Sequence, residues 1–264
     1  MAENSSVLIT GASAGIGAVY ADRFARRGHN LILVARDTAR LNTLAEKLHT
    51  QYGILAEVLP ADLTSPVEVA TVARRLREDA RIGVLVNNAG MSLSGTFLTQ
   101  SEADINRMVA VNLSAVLTLA HAAAVGFAAK GLGSIINLSS VVGLAPELGM
   151  SVYGATKAFV LYLSQGLDLE LSPQGVYVQA VLPAATRTEI WERSGVDINT
   201  VTGVMDAGDM VDAALVGYDR RESVTIPSLH PEELWAHHEQ ARQAMLAEFR
   251  HEHPASRYLK NNGD

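Results

Sequence analysis

Apolar residues along the chain fall into two kinds of pattern. Short, mostly apolar runs alternate with longer stretches in which apolar residues recur every three or four positions. The short runs are typical of strands buried on both faces in a parallel sheet, and the longer stretches are typical of helices. The pattern predicts strands at residues 6–10, 30–35, 55–60, 83–87, 134–139 and 176–182, and a weaker strand at 223–227.

Helices are predicted between these strands, at residues 15–27, 38–51, 66–79, 101–129 and 152–171. Pro66 is suitably placed to open the third helix, and Pro173 follows the fifth. The alternation implies right-handed βαβ crossovers. We therefore predict an α/β fold with a single Rossmann-like, doubly wound parallel sheet of seven strands and helices on both faces.

The alternation of strands and helices lapses between residues 183 and 210. This insert mixes apolar residues with Gly and Asp beside the carboxyl edge of the predicted sheet, and we predict a substrate lid at 184–210. A further amphipathic helix is predicted at 231–249, and residues 254–264 are expected to form a flexible tail. No linker or repeat divides the chain, so we expect one domain over residues 1–264.

Composition narrows the class of protein. The 264 residues carry a formal net charge of −7, and the basic residues are scattered, which argues against a nucleic-acid surface. The chain has no cysteine, so disulfides and thiolate metal sites are excluded. The N-terminal residues lack the basic and apolar regions of a secretory signal, and we expect a cytoplasmic protein.

Residues 108–129 carry no formal charge and reach the length of a membrane span. Four polar residues interrupt the stretch, and strand and helix patterns of a soluble protein flank it on both sides. We therefore favour a helix buried nearly all round, in the core or at a subunit interface, over a membrane helix. The polar residues are Asn112, Ser114, Thr118 and His121.

The motif TGASAGIG, residues 10–17, follows the first predicted strand and opens the first helix. Its first glycine permits a tight turn, and the other two let the backbone approach a pyrophosphate at the helix N-terminus. A glycine-rich turn can be purely structural, but this strand–turn–helix context predicts nucleotide binding. The predicted binding residues in the loop are Gly11, Ser13, Gly15, Ile16 and Gly17.

The end of the second predicted strand indicates which ribose the nucleotide carries. NAD-binding proteins usually place an acid there, whereas this chain has Arg36, about 20 residues beyond the glycines. A guanidinium suits a 2′-phosphate through a bidentate, charge-assisted contact, so we predict NADP(H) as the preferred cofactor and NAD(H) as the alternative. On the competing interpretation, Arg36 is an ordinary exposed arginine, and Asp37 caps the next helix or binds the ribose.

Tyr153 and Lys157 are one helical turn apart in the segment VYGATKAF. A tyrosine that acts as an acid or base near neutral pH needs a stabilised phenolate, because its ordinary pKa is about 10. The Lys157 ammonium can lower the pKa of this phenol and bind a nicotinamide ribose. Ser140, at the end of the strand SIINLS, is placed to hold a substrate oxygen. The alternative is a surface helix pair and a strand-terminal serine.

Five motifs occur together in an order typical of one family. TGASAGIG, NNAG at 87–90, the interval from Ser140 to Tyr153, YGATK and VLPAATRT together resemble the short-chain dehydrogenase/reductase family, over about residues 5–227. The resemblance implies that Tyr153 donates or accepts a proton and that Ser140 steadies the carbonyl or alcohol oxygen. It also implies that Lys157 binds ribose and tunes Tyr153.

The same resemblance assigns further residues. Asn112 in VAVNLSA matches the family's helix asparagine, which anchors a water and completes a proton relay to Lys157; taken alone, it would be a structural asparagine in an apolar helix. Asn88, Ala89 and Gly90 match the turn beside the adenine ribose, and Asp62 matches the residue that contacts the adenine; taken alone, they would be an ordinary strand end and an ordinary helix-side acid. Pro183 and Thr188 match the segment beside the nicotinamide amide and the phosphates.

One position departs from the family's pattern. Its Pro-Gly after the sixth strand is Pro183–Ala184 here, and the added methyl group restricts the backbone at the start of the lid. Alanine adopts most negative-φ conformations, so the catalytic assignment is unaffected. No metal site is expected, because the chain has no HExxH motif or aligned histidine pair, and we interpret as surface residues His237, His238, His251 and His253.

These residues predict an NADP(H)-dependent carbonyl reductase or alcohol dehydrogenase, an oxidoreductase that acts on a small molecule. The rival hypotheses are a nucleotide sensor or scaffold without turnover, and a lyase or epimerase that uses internal redox. The resemblance implies a homotetramer or a dimer built on the helices near 108–129 and 152–171; their apolar faces would otherwise belong to a large single-chain core. Seven apolar residues are candidates either for the lining of a substrate pocket or for packing in the core and the lid. They are Val142, Leu144, Leu148, Met150, Ile190, Trp191 and Met205.

Overall fold

The computed structural model describes residues 5–259, apart from the side chain of Arg193. Within this part of the chain, seven parallel strands form one sheet in the order β3-β2-β1-β4-β5-β6-β7. The predicted fold class is confirmed. The strands are β1 (Ser6–Thr10), β2 (Leu31–Ala35), β3 (Ala56–Pro60), β4 (Ile82–Asn87), β5 (Gly133–Leu138), β6 (Val176–Val181) and β7 (Val224–Thr225).

Helices connect the strands and cover both faces of the sheet. Most of the strands are buried at nearly every position, because two separate apolar cores lie against them, one on each face. The helices are α1 (Gly15–Arg26), α2 (Thr38–Tyr52), α3 (Pro66–Glu78), α4 (Glu102–Val109), α5 (Val116–Lys130), α6 (Ser151–Leu171), α7 (Ile190–Arg193), α8 (Ala207–Asp219) and α9 (Glu232–Glu248).

The strand order places a crevice at one edge of the sheet. β1 pairs with β2 on one side and with β4 on the other, so the chain reverses its direction of travel across the sheet between β1 and β4. In open parallel sheets, ligands bind outside the carboxyl ends of the strands at such a switch point. The loops that follow β1, β4 and β5 all emerge there.

The helix predicted over 101–129 is interrupted. A π-helical segment, Ala110–Ala115, separates α4 from α5. Together they form an apolar stretch, Glu102–Lys130, which is long and apolar enough by composition to cross a membrane. Half of the most apolar 18 residues of this stretch are buried inside the protein, and α5 packs with α3 in the core on one face of the sheet. One side of α5 therefore belongs to the core, but within this chain the helix is not buried nearly all round as predicted, since Leu117 and Val125 are exposed.

Two elements near the end of the sheet differ from the prediction. The sequence analysis predicted no helix between residues 207 and 219, but α8 covers β6 and β7 there and buries Met210, Ala214 and Tyr218 in the core. The predicted strand 223–227 is only the two residues of β7. We call residues 182–206, which lead from β6 to α8, the β6–α8 segment; it contains α7 and a 3₁₀ turn, Ile198–Thr200.

The chain divides into two compact units, Met1–Ser228 and Leu229–Asp264. The first contains the whole sheet and both cores. The second contains α9, which confirms the helix predicted at 231–249, although none of its residues is buried. A 3₁₀ turn at Ser256–Tyr258 lies within the segment expected to be a tail, and residues 260–264 of that segment lie outside the described residues. The four histidines interpreted as surface residues are exposed.

Candidate active site

The loop between β1 and α1 lies directly against the end of β4. Gly11 has a φ of +67°, and a Cβ there would lie 2.8 Å from Asn88 Nδ2 and 2.9 Å from Ala89 Cα. A Cβ on Gly17 would collide with the carbonyl oxygen of Gly11. A side chain at either glycine would force the loop away from β4, so this tight turn depends on both. The predicted loop residues and the NNAG turn are thus brought together.

Thr10 fastens these two loops, and the sequence analysis assigned it no role. Its buried hydroxyl accepts the backbone N–H groups of Asn88 and Ala89, both at 3.0 Å, and donates to the Val86 carbonyl at 3.3 Å. The Asn88 side chain donates in return to the Thr10 carbonyl at 2.8 Å. Thr10 is the first residue of the TGASAGIG motif, and this position is the feature of the sequence that could have identified its role.

The N-terminus of α1 is open to an anion. Ala14 at the N-cap has no polar side chain, and no acidic residue lies in the first turn of α1. The first backbone N–H groups of a helix need partners and carry partial positive charge, which suits a phosphate. Above the loop, a Cβ on Gly15 would lie 3.1 Å from Thr188 Cγ2. A cavity of about 400 Å³ is lined here by Gly15, Arg187, Thr188, Glu189, Trp191, Glu192 and Ile198.

A second cavity, of about 240 Å³, lies where the adenine end of a dinucleotide is predicted. It is lined by Arg36, Pro60, Ala61, Asp62 and Glu68, so the predicted residues Arg36 and Asp62 share it. The Asp62 carboxylate accepts the backbone N–H and the hydroxyl of Thr64, both at 2.9 Å, and the backbone hydrogen bond is the main cause that holds its pKa below the usual range.

Asp37 has the capping role that was one of its two predicted alternatives. It is the N-cap of α2, and its carboxylate accepts the backbone N–H of Arg40 at 3.0 Å. Arg36, immediately before it, is exposed. This arrangement leaves the guanidinium of Arg36 beside the cavity, while the adjacent acid is committed to the helix end.

Three of the predicted catalytic residues meet at the carboxyl ends of β4 and β5. The Ser140 hydroxyl donates to the Pro183 carbonyl, accepts the backbone N–H of Val142, both at 3.2 Å, and is hydrogen-bonded with the Tyr153 hydroxyl. Lys157 is buried, and its Nζ lies 5.6 Å from the centroid of the Tyr153 ring. The ammonium and the two hydroxyls thus surround one small region.

Desolvation dominates the ionisation of this site. It raises the pKa of Tyr153 to about 12, and the hydrogen bond between Tyr153 and Ser140 opposes this rise. Desolvation also lowers the pKa of Lys157 to about 8, although its ammonium donates to the Leu138 carbonyl at 2.8 Å. The predicted lowering of the Tyr153 pKa by Lys157 is therefore not observed. Burial penalises the phenolate more than its neighbours stabilise it.

Asn112 occupies the middle of the π-helical segment and is buried. Its Nδ2 donates to the Met91 carbonyl at 2.9 Å and to Thr156 Oγ1 at 3.1 Å, and its Oδ1 accepts the Met91 N–H at 2.9 Å. A Cβ on Gly90 would lie 3.5 Å from both Asn112 Oδ1 and Lys157 Nζ. The fourth predicted catalytic residue therefore joins the other three.

Two further hydroxyls in this region were not predicted. Thr156 Oγ1 donates to the Tyr153 carbonyl at 2.7 Å, which links Asn112 to the catalytic helix. Ser139 Oγ donates to the Lys157 carbonyl at 2.7 Å, which fixes α6 against the end of β5. Both residues adjoin predicted catalytic positions in sequence, but their partners become apparent only in the fold.

Ala184, the departure from the family's pattern, causes no backbone strain. Within residues 5–259, Arg221 is the one non-glycine residue with positive φ, so the φ of Ala184 is negative. The preceding Pro183 carbonyl accepts the Ser140 hydroxyl and the Val141 N–H at 3.1 Å. The start of the β6–α8 segment is thus attached to Ser140.

The apolar residues considered for a substrate pocket have different surroundings. Leu144 and Leu148 are exposed, and Met205 packs against the core. Trp191 lines the cavity above the β1–α1 loop, and its indole N–H donates to the Thr186 carbonyl at 2.7 Å. The rest, Val142, Met150 and Ile190, are partly buried. In the described residues, no group of three or more His, Asp or Glu side chains is placed to hold a metal ion.

Comparison with known proteins agrees with this geometry. The profile of the short chain dehydrogenase family matches residues 5–199, and the chain belongs to that family of oxidoreductases. A very-long-chain 3-oxoacyl-CoA reductase of Anas platyrhynchos is 34% identical over 187 residues, which are 69% of this chain. The alignment spans only 60% of that relative's length. An uncharacterized oxidoreductase of Staphylococcus epidermidis is 31% identical over 220 residues, 83% of this chain and 93% of the relative.

Solved structures of the family are more similar. A short-chain dehydrogenase from Sphingobium yanoikuyae, in complex with NADPH, is 59% identical, with a TM-score of 0.95 over 97% of this chain and 100% of the other. A bulky-bulky ketone specific alcohol dehydrogenase from Comamonas testosteroni is 56% identical, with a TM-score of 0.90 over 97% and 98% of the two chains. These similarities extend beyond the family profile and include the region of α9.

Proposed function

We propose that this protein is an NADP(H)-dependent oxidoreductase that interconverts a ketone and a secondary alcohol. The observation that carries the proposal is the meeting of Ser140, Tyr153, Lys157 and Asn112 beside a glycine-lined loop at the switch point of the sheet. A nucleotide sensor would need the loop alone, and it has no physical need for the buried lysine and the paired hydroxyls.

The dinucleotide fits the residues that would hold it. The glycine-lined turn and the uncapped N-terminus of α1 would hold the diphosphate, and the cavity beside Arg36 and Asp62 would hold the adenosine end. Further contacts would come from Asn88, Ala89, Gly90, Pro183 and Thr188. When bound, NADP(H) would supply or accept the hydride, and the chain's own residues would manage the substrate oxygen and its proton.

Tyr153 is the proposed acid and base. With a pKa of about 12, its phenol is protonated at neutral pH and can donate a proton to a developing alkoxide. Ser140 would hold the same oxygen, since its hydroxyl is already hydrogen-bonded with that of Tyr153. The Lys157 ammonium would stabilise the phenolate left behind, and Asn112 holds the backbone of Met91 next to it.

Arg36 is the proposed determinant of cofactor choice. It lines the adenosine cavity, while the neighbouring Asp37 is occupied as a helix cap and is less available to a ribose hydroxyl. A 2′-phosphate would be attracted by this guanidinium, and an unphosphorylated ribose would gain little from it. The NADPH complex of the Sphingobium relative supports the same choice.

The proposed substrates are ketones with a bulky apolar group on each side of the carbonyl. The Comamonas relative, 56% identical, is described as specific for such ketones. In this chain, the apolar residues Val142 and Leu144 follow Ser140, and the β6–α8 segment carries Trp191. A lid function for that segment is part of the proposal.

The proposed assembly is a homotetramer or a dimer of cytoplasmic chains. Large apolar side chains are exposed on two neighbouring helices, Leu117 and Val125 on α5 and Tyr162 and Leu169 on α6. A surface of this kind is typical of an interface between copies of a chain. Size-exclusion chromatography with light scattering would test it, since a monomer at micromolar concentration would contradict it.

The proposed function is tested by NADPH oxidation with a series of aryl alkyl ketones of increasing chain length. We expect turnover that Tyr153→Phe removes, while Tyr162→Phe, an exposed tyrosine of the same helix, retains it. Turnover that survives Tyr153→Phe would contradict the assigned role. Binding without any turnover would favour the sensor, and product formation without net change in NADPH would favour a lyase or epimerase.

Cofactor choice is tested by fluorescence titration with NADPH and NADH. We expect NADPH to bind about tenfold more tightly or better, as loss of one charge-assisted contact implies, and Arg36→Ala to remove the difference. Arg77→Ala, an exposed arginine of α3, is the matched control. Equal affinities in the wild type would contradict the choice of NADP(H).

A further inference from the structure

The β6–α8 segment is fixed at its base by backbone hydrogen bonds. The Met205 N–H donates to the Ala185 carbonyl, and the Arg187 N–H donates to the Met205 carbonyl, both at 2.9 Å. The start and the end of the segment therefore meet beside β6. The part between them, which carries Glu189 and Trp191, extends from this base over the β1–α1 loop.

An ion pair joins the extended part of the segment to α2. One guanidinium nitrogen of Arg40, Nη1, donates to both carboxylate oxygens of Glu189 at 2.8 Å. The two residues are 149 positions apart, and their side chains are about half-exposed. Asp37, the cap of α2, lies 3.5 Å from the same guanidinium. Next to Glu189, Thr188 lies against Gly15, where the β1–α1 loop enters α1.

We propose that the Arg40–Glu189 ion pair is a latch that holds the β6–α8 segment closed over the bound cofactor and slows its release. The proposal rests on the proposed function, because it assigns the cavity beneath the segment to the diphosphate. Arg40 and Glu189 are positioning residues. They act through the segment that carries Thr188 and do not take part in the reaction.

The geometry supports a latch because the cofactor's way out passes under the segment. The cavity of about 400 Å³ lies between the β1–α1 loop and the β6–α8 segment, and Glu189 is one of the residues that line it. Thr188 lies against Gly15 and Glu189 lines the same cavity, so the segment covers this side of a ligand seated on the N-terminus of α1. Arg40 belongs to a regular helix, so the ion pair attaches the movable segment to a fixed element.

A latch and simple attraction of the anionic cofactor predict different results for the two partners. Removing the charge of Arg40 weakens attraction to NADPH, whereas removing the charge of Glu189 reduces repulsion. If charge alone matters, Arg40→Gln and Glu189→Gln change cofactor binding in opposite directions. If the pair is a latch, both substitutions speed dissociation.

The test measures the dissociation rate of NADPH by stopped flow, with excess NADP⁺ as the displacing ligand. Trp191 lines the cavity, and Trp235 is the chain's other tryptophan, so a Trp235→Phe background leaves Trp191 as the single donor for energy transfer to NADPH. We expect Arg40→Gln and Glu189→Gln each to raise the rate about two- to fivefold, the range that an exposed ion pair supports.

Two further variants complete the test. The exchange Arg40→Glu with Glu189→Arg is expected to restore the wild-type rate, since a glutamate is well tolerated in the first turn of α2. Arg27→Ala is the matched control, because Arg27 makes an equally exposed bidentate pair with Asp219 at 2.9 Å, between α1 and α8. Opposite shifts for the two single variants, or shifts no larger than that of Arg27→Ala, would overturn the latch.

A second measurement does not need the cofactor. Arg187 is exposed on the segment, and trypsin cleavage after it, followed by mass spectrometry, reports how often the segment opens. We expect Glu189→Gln to speed this cleavage relative to the wild type and to Arg27→Ala. A protein that binds no NADPH would refute the proposed function and leave this comparison intact; unchanged cleavage would count against the latch itself.

Discussion

Lys157 is a cation held in a nearly dry environment, and this should cost the protein stability. Its side chain is buried, and its pKa of about 8 is well below the ordinary lysine value. The charged form is therefore destabilised in the folded state relative to the unfolded state. A residue under such a penalty is typical of a functional site.

Lys157→Met is predicted to stabilise the fold while it removes activity. We expect a gain of about 1–3 kcal/mol in the free energy of unfolding at pH 7, because the shifted pKa outweighs the lost hydrogen bond to Leu138. The penalty on the wild type is complete below its folded-state pKa of about 8 and disappears as pH rises toward the ordinary value, 10.5. The gain should therefore shrink over that interval in urea titrations at several pH values.

Lys130→Met is the matched control for this substitution. Lys130 also donates to a backbone carbonyl, that of Ala80 at 2.9 Å, but it is exposed. We expect this variant to be neutral or slightly destabilised. A Lys157→Met protein that is less stable than Lys130→Met at pH 7 would show that the buried charge is better compensated than we infer.

Tyr153 leads to a prediction about direction and pH. Because its pKa of about 12 keeps the phenol protonated, ketone reduction should be nearly independent of pH until Lys157 loses its proton above about pH 8, and should then decline. Alcohol oxidation needs the phenolate, so its kcat/KM should rise by up to about tenfold per pH unit below that pKa. Initial rates in both directions between pH 6 and pH 10 would check this, and an oxidation rate that falls with pH would contradict it.

At the residue scale, the sequence shows which side chains are candidates for catalysis, but it does not show how their pKa values are shifted or which distant residues they contact. The spacing of Tyr153 and Lys157 identifies a common helix face, and the structure brings both to Ser140. The direction of the Tyr153 pKa shift was predicted wrongly, because desolvation depends on every group packed around the ring. The Arg40–Glu189 pair was also absent from the sequence analysis, since its partners are far apart in the chain.

The π-helical segment between α4 and α5 explains how one asparagine can serve a loop and a helix together. A π segment widens the helix locally, and such segments are frequent at functional sites. Here the widened turn carries Asn112, which pairs with both backbone groups of Met91 and with Thr156 on α6. Three elements around the catalytic region are held by this one side chain.

Asn112→Ala is predicted to weaken both the fold and the catalytic site. We expect a loss of about 1–3 kcal/mol in the free energy of unfolding, because the Met91 carbonyl and N–H lose their partner in a partly buried position. The proposed ketone reductase activity should fall as well. Ser114→Ala, an exposed position of the same segment, is the control, and equal stability of the two variants in thermal unfolding would argue against the inferred role.

At the element scale, the sequence predicts strands and most helices but not their irregularities. Parallel strands buried on both faces leave continuous apolar runs, which are easily recognised. The π segment depends on the backbone of Met91, 21 residues before Asn112, and no local pattern indicates it. α8 was missed because two glycines and three aspartates interrupt its apolar residues and obscure the helical pattern.

The whole molecule concentrates its stability in the first of its two units. The sheet and both apolar cores lie before residue 229, whereas no residue of α9 is buried. A chain that ends at Ser228 should therefore fold and melt cooperatively on its own. We expect circular dichroism to show a single thermal transition within a few degrees of that of the full chain.

Failure of the truncated chain to fold would also be informative about the whole molecule. A truncated chain that aggregates or loses cooperativity would mean that residues 229–264 contribute to the fold through contacts that the burial of α9 does not suggest. The fold class of the first unit was predicted in full from the alternation of strands and helices. The division into two units was not, since no change of composition marks residue 229.

The π segment also sets the rotational phase of α5. Each residue of a helix advances the next by about 100°, so one residue more or less between α4 and α5 would turn the whole of α5 about its axis by that angle. Leu117 and Val125 would then face a different direction, and the side chains packed with α3 would leave the core. The turn that carries Asn112 therefore decides which face of α5 points outward, so a change in its length would alter the proposed catalytic site and the proposed interface together.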